Sequence, residues 1–164
     1  MSGVNTLFNG LSNELWFLYS PPKQLKMATA GGMALQPSVA KRWEEITGKP
    51  LLQGYGLTET APVLSFNPLG KTRDGSIGVP VPSTDLACLD DAGQPVAQGE
   101  RGEIAAKGPQ VMKGYWRKPE ETEKVLKDGW FLTGDSGVMD ADGYFSIVDR
   151  KKDMVVVSGF NVYP

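Results

Sequence analysis

What most constrains this chain is a rhythm in its first third. "LKMATA" (residues 25–30) is a strand-length apolar stretch that runs into the glycine turn "GGMALQ". Pro37 then suits a first helical position, and Val39, Trp43 and Ile46 recur at helical spacing until Gly48 stops the helix. "LLQGYG" follows as a second strand that ends in glycine again. Strand, glycine turn, helix, strand, glycine turn is the pattern of a parallel α/β sheet, whose ligands sit at the carboxyl ends of the strands.

From about Ser76 the texture changes. Short apolar runs are punctuated by Asp-Ala-Gly, Gly-Glu-Arg-Gly and Ala-Asp-Gly, all hairpin signals. Pro119 followed by "EETEKVLKDG" reads as one short helix closed by Gly129. With 20 Gly and 12 Pro in 164 residues, turns are plentiful enough for a strand-rich second half. The expected fold class is therefore α/β: a small lobe with parallel strands over residues 1–70, then a β-rich lobe over 71–150. Residues 151–164 form a tail beyond it.

Four stretches carry candidate chemistry. In "QGYGLTET" (residues 53–60), Tyr55 beside Gly54 can lie flat against a planar ligand, or be a core tyrosine with a satisfied hydroxyl. Thr58 and Glu59 suit a phosphate and its Mg²⁺, which prefers one or two carboxylates plus phosphate oxygens. They equally suit a helix start, with Thr58 as N-cap and Glu59 in the first turn. In "DGWFLTGDSG" (residues 128–137), Asp135 follows a Thr-Gly turn and can accept from both hydroxyls of a ribose, or simply close an Asx-turn. Asp149, Arg150, Lys151, Lys152 and Asp153 form a charged knot between apolar runs. It is read either as a solvated hairpin tip or as an Arg150 reaching for a ribose or phosphate. The glycine turn "AGGMAL" (residues 30–35) lets a base approach the backbone, or lets a helix pack on a strand.

The excluded classes narrow the chemistry. The chain holds no His, so Ser-His-Asp, Cys-His and His-based metal chemistry cannot be assembled from its residues. The net charge of −2 does not forecast a nucleic-acid partner. Cys88 is alone, so there is no internal disulfide, as a reducing compartment favours. No apolar run reaches the roughly 18–20 residues of a membrane span.

In this order, the four stretches resemble the core motifs of the acyl-adenylate-forming enzymes, the superfamily of acyl-CoA synthetases, peptide-synthetase adenylation domains and firefly luciferase. "GYGLTET" is similar to its Tyr-Gly-x-Thr-Glu motif, "WFLTGDSG" to its Thr-Gly-Asp motif, and "IVDRKKDMVVVSGFNVYP" to its hinge motif. "GSIGVPVPST" and "KGPQVMKGYW" look like the corresponding segments of the bacterial long-chain fatty-acid–CoA ligase branch. Leu132 stands where many relatives carry His, and Ala34 where Pro is common.

The resemblance implies ATP-dependent activation of a long-chain fatty acid to acyl-AMP and transfer to CoA, with Mg²⁺ as cofactor. Its fold implication is part of a large N-terminal domain whose second lobe is a distorted barrel. It gives Gly32, Met33, Gly54 and Tyr55 to the adenine, and Thr58 to the α-phosphate. Glu59 goes to Mg²⁺, which makes Thr58 and Glu59 the catalytic pair. Asp135 and Arg150 go to the ribose, Ile147 to the base or ribose, and Lys152 to the hinge. It also implies a cytoplasmic enzyme with peripheral contact to the inner face of the membrane. The family's phosphate loop and C-terminal lysine domain are expected to lie outside these residues, so turnover by the piece alone is not expected. A non-catalytic nucleotide-binding module and an aryl or other acyl-adenylating ligase are the alternatives.

Overall fold

The computed structural model describes residues 1–150 and, beyond them, the backbone of two short strands. The first half runs β1 (Ser2–Gly3), α1 (Asn5–Leu11), α2 (Leu15–Tyr19), β2 (Ala28–Ala30), α3 (Pro37–Thr47) and β3 (Leu51–Gly56). A 3₁₀ turn over Thr58–Thr60, β4 (Val63–Phe66) and β5 (Val79–Pro80) follow. These five strands form one sheet in chain order, parallel from β1 to β3 and antiparallel from β3 to β5. Next come β6 (Asp85–Leu89), β7 (Gly102–Lys107), α4 (Pro119–Val125), β8 (Leu126–Lys127), β9 (Trp130–Met139) and β10 (Phe145–Arg150). They build an antiparallel sheet of order β10-β9-β7-β6, with β8 also on β9. Register shifts in the β7–β9 and β9–β10 pairs mark bulges, which bend strands and help curl this sheet into a half-barrel. Strands β11 (Val155–Val157) and β12 (Phe160–Val162) pair with each other.

The expected α/β lobe and β-rich lobe are both present. The strand pairings pass from one sheet to the other between Pro80 and Asp85. Helix α3 starts at Pro37 and ends at Gly48, whose φ of 64° is the left-handed cap that favours glycine. Its Trp43 is fully buried, edge-on to Phe8 at 4.9 Å and stacked on Phe17 at 5.3 Å. Offset and edge-to-face ring pairs suit the aromatic quadrupole, so the helices lock onto the parallel strands through these three rings.

A second core joins the two sheets. Tyr55 and Leu64 of the first sheet pack with Ile77, Cys88, Ile104, Ala106 and Phe145. Burial pushes the Cys88 thiol up to about 11, which leaves it a packing residue with little thiolate at neutral pH. The main chain stitches the same seam: Ile77 N–H donates to Phe145 O, and Phe145 N–H to Gly78 O, both at 2.9 Å. Arg73, from the β4–β5 connection, adds a clamp on the β9–β10 hairpin. It pairs with Asp140 and Asp142 and lies 4.3 Å above the Tyr144 ring.

Local expectations needed correction in four places. The strand expected over residues 25–30 is β2, Ala28–Ala30 only. The helix from Pro119 stops at Val125, and Gly129 does not close it. Asp128 (φ 50°) and Gly129 (φ 78°) instead make the two-residue turn of the β8–β9 hairpin, where both central residues need positive φ. The Thr58 helix is a single 3₁₀ turn capped by Leu57, so Thr58 is its first residue and not its cap. Asp135 does not follow a free turn; it lies inside the ten-residue β9. The hairpin signals at Asp-Ala-Gly and Ala-Asp-Gly do close turns, where Asp90 and Asp140 each accept two main-chain N–H groups.

Candidate functional site

The carboxyl ends of parallel strands leave main-chain groups pointing away from the sheet, and here they open on a cleft of about 930 Å³. Gly32 and Met33 after β2, and Gly54 to Glu59 along β3 and the 3₁₀ turn, form one wall. Leu132, Thr133, Gly134 and Asp135 of β9 and Ile147 of β10 line it from the antiparallel sheet. Eight of the residues singled out in the sequence thus share one cavity: Gly32, Met33, Gly54, Tyr55, Thr58, Glu59, Asp135 and Ile147. The main chain of Arg150 pairs with Asp135 across β9–β10. The Arg150 side chain and the whole of Lys152 lie outside the described residues, as does most of the 151–164 hinge.

The glycines flanking Tyr55 have a steric cause. At Gly56 a Cβ would stand 1.6 Å from the carbonyl oxygen of Pro62, because β3 turns back into β4 there. Only a residue without a side chain permits that approach. Tyr55 between them is 8% exposed, so it is both a core residue and part of the cleft wall. Its hydroxyl donates to Asp135 Oδ2 at 2.6 Å, across 80 residues of sequence and from one sheet to the other.

Asp135 owes its position to the β7–β9 bulge. Glu103 pairs with Ser136 and Ala105 with Leu132, so three residues of β9 face one of β7. Gly134 takes φ 79° to make that possible. The bulge is pinned three ways: Thr133 Oγ1 donates to Ile104 O at 2.7 Å and accepts from Asp135 N–H at 3.2 Å, and Gly134 N–H donates to Glu103 Oε1 at 3.0 Å. The result is a carboxylate only 6% exposed, re-aimed at the cleft and held by a hydrogen bond from the opposite sheet.

Thr58 is exposed and Glu59 half-buried on the cleft wall. The turn that carries them is fixed by buried Thr60, whose hydroxyl accepts from Leu57 N–H at 3.0 Å and donates to Pro62 O at 2.7 Å. Glu59 Oε1 accepts from the Tyr115 hydroxyl at 2.8 Å. Tyr115 was not identified from sequence; its only signal is an aromatic pair after a glycine in "KGYW". Among the described residues no three His, Cys, Asp or Glu side chains form a metal cage. With Asp135 bonded to Tyr55, Glu59 on the 3₁₀ turn fits a magnesium ion that arrives on phosphate oxygens, and does not fit an ion held by protein alone.

A parallel sheet opening on a large cleft, with a buried carboxylate supplied from a bulged antiparallel sheet, is the arrangement in which α/β domains hold small ligands. Residues 1–116 match the family described as AMP-binding enzyme, and the chain belongs to that family. It is 54% identical over 165 residues to a long-chain-fatty-acid–CoA ligase of Yersinia pestis, covering 100% of this chain and 29% of that protein. Among solved structures it resembles ATP-bound MatB from Rhodopseudomonas palustris, with TM-score 0.86 and 36% identity, over 99% of this chain and 33% of that one. It also resembles the amide bond synthetase McbA from Marinactinospora thermotolerans, with TM-score 0.89 and 31% identity at the same coverage. The chain therefore spans about a third or less of each of these three proteins. The family match bears out the resemblance read from the motifs.

Proposed function

We propose that this chain is the nucleotide-gripping part of an ATP-dependent, AMP-forming acyl-CoA synthetase that activates a long-chain fatty acid. The observation that carries the reading is the meeting of Tyr55, Thr58, Glu59 and Asp135 on one cleft, with Tyr55 and Asp135 hydrogen-bonded across it. Identity above half with a long-chain-fatty-acid–CoA ligase supports the acyl class.

In this reading the nucleoside is fixed first. Gly32, Met33, Gly54 and Tyr55 bound the adenine, and Ile147 flanks it. Asp135 accepts from the ribose hydroxyls, with Arg150 beside it on the neighbouring strand and Lys152 at the hinge. The fatty-acid carboxylate then attacks the α-phosphorus and pyrophosphate leaves; the CoA thiol next attacks the acyl carbon and AMP leaves. Adenylation moves no proton and needs no side-chain shuttle, in keeping with a chain free of His, whereas the thiol of the second step gives up its proton to solvent as it attacks. What adenylation needs is positioning and charge stabilisation. The Thr58 hydroxyl donates to an α-phosphate oxygen. Glu59 holds the nucleotide's Mg²⁺, which would supply charge neutralisation there. A cytoplasmic enzyme touching the inner membrane face belongs to the same proposal, because its acid substrate is apolar.

Calorimetry of AMP binding tests the core of this reading. Asp135→Ala is expected to weaken AMP by about 1.5–3 kcal/mol, the value of a hydrogen bond to a charged group. An unchanged affinity would remove Asp135 from the ribose site. The likeness to an amide bond synthetase bears on the acceptor alone, and competition between CoA and amines decides it.

A further inference from the structure

The segment between β7 and α4 touches the site at one residue, twice. Met112 N–H donates to the main-chain oxygen of Glu59 at 2.7 Å, and the Tyr115 hydroxyl donates to Glu59 Oε1 at 2.8 Å. The backbone and carboxylate of one glutamate are therefore both held by residues three positions apart, Met112 and Tyr115, the latter 56 residues downstream. The holding segment is itself braced. Tyr115 N–H donates to Thr122 Oγ1 at 2.9 Å, and Gln110 Nε2 reaches Thr84 Oγ1 at 2.7 Å. Tyr115 is itself among the residues that line the cleft.

We infer that Tyr115 is a positioning residue: it orients the Glu59 carboxylate toward the divalent cation that accompanies a nucleotide in this cleft. The inference rests on the assignment of Glu59 to the metal made above. A glutamate on a single 3₁₀ turn has three rotatable side-chain bonds and little local structure to restrict them. Magnesium tolerates little departure from octahedral geometry, so a wandering carboxylate is a poor ligand. A phenol hydroxyl bonded to one carboxylate oxygen removes that freedom without bringing a competing charge. The main-chain bond from Met112 fixes the point from which the side chain starts.

The test is Mn²⁺ titration by electron paramagnetic resonance on the chain with saturating ATP, beside AMP calorimetry without divalent cation. Tyr115→Phe keeps the ring and the cleft wall and removes only the donor. It is expected to weaken Mn²⁺ binding roughly 3- to 10-fold, the span of one net hydrogen bond, and to leave metal-free AMP affinity unchanged. Glu59→Gln is expected to weaken Mn²⁺ further, and Tyr115→Phe to add nothing in that background. Parent-like Mn²⁺ affinity in Tyr115→Phe, with a loss in Glu59→Gln, would overturn the role of Tyr115 alone. An equal loss of metal-free AMP affinity would make Tyr115 a prop of the cleft and also overturn it. No effect of Glu59→Gln on Mn²⁺ would overturn the metal assignment of Glu59, and this inference with it.

Discussion

The two hydrophobic cores differ in what they hold. The first, built on Phe8, Phe17 and Trp43, fastens helices to the parallel strands and meets the cleft only at its edge, through Ala30 and the adjoining Leu35. The second contains Tyr55 and Ile77, which line the cleft, and joins them to Cys88, Ile104 and Phe145 of the other half. The rings that carry the first core stand away from the cleft, whereas those of the second include its wall, so stability and binding are largely divided between them. One core keeps a lobe folded, whereas the other keeps two lobes in the relation that lets Tyr55 meet Asp135.

Substitutions can break that comparison. The largest effect is expected at Trp43, fully buried against two rings, where Trp43→Ala should cost about 3–5 kcal/mol in denaturant unfolding. The fraction that remains folded should still bind AMP with parent affinity. A parallel loss of affinity would show that the cores are not separate in function. Tyr55→Phe should cost less, about 1–3 kcal/mol, because it strips a donor from a buried carboxylate and removes little apolar surface. Unlike Trp43→Ala, it should weaken AMP binding in the folded protein, since Asp135 loses the bond that orients it.

The smallest effect belongs to the clamp outside both cores. Burial pushes the Asp140 carboxyl up, but N–H donors of Tyr144 and Asp142 and the Arg73 guanidinium outweigh it and hold the group below its ordinary 3.8. A carboxyl lowered on folding contributes fully above its unfolded value, and the contribution disappears as pH falls through the lowered one. Asp140→Asn should therefore reduce stability near neutral pH and flatten the acid limb of the unfolding curve below about pH 4. An acid limb identical to the parent's would remove Asp140 from the account. Exposure of this pair to solvent keeps the effect small.

The same division separates what was legible in the sequence from what was not. Helix α3 was legible because Pro37, the spacing of Val39 and Trp43, and Gly48 all point to one answer. The cleft wall from Gly54 to Glu59 was legible because parallel strands present ligands at their carboxyl ends. The β9 bulge was not, since Thr-Gly-Asp reads as a turn by residue type. Only pairing with β7, about 30 residues earlier, makes it part of a strand. Gly129 was misread for a related reason: a glycine after a helical run caps a helix or turns a hairpin, and the Lys127–Trp130 pairing decides which. Tyr115 had only the aromatic pair of "KGYW" to mark it, and nothing local pointed to its partner Glu59, 56 residues away.

The central claim is that the parallel strand ends and the antiparallel bulge hold one nucleotide between them. A crystal structure of the chain with AMP tests it most directly. The expected result is adenine bounded by residues 32–33 and 54–55, with the ribose hydroxyls on Asp135. AMP bound by one lobe alone, with Asp135 still joined to Tyr55 and no contact to the ribose, would contradict it.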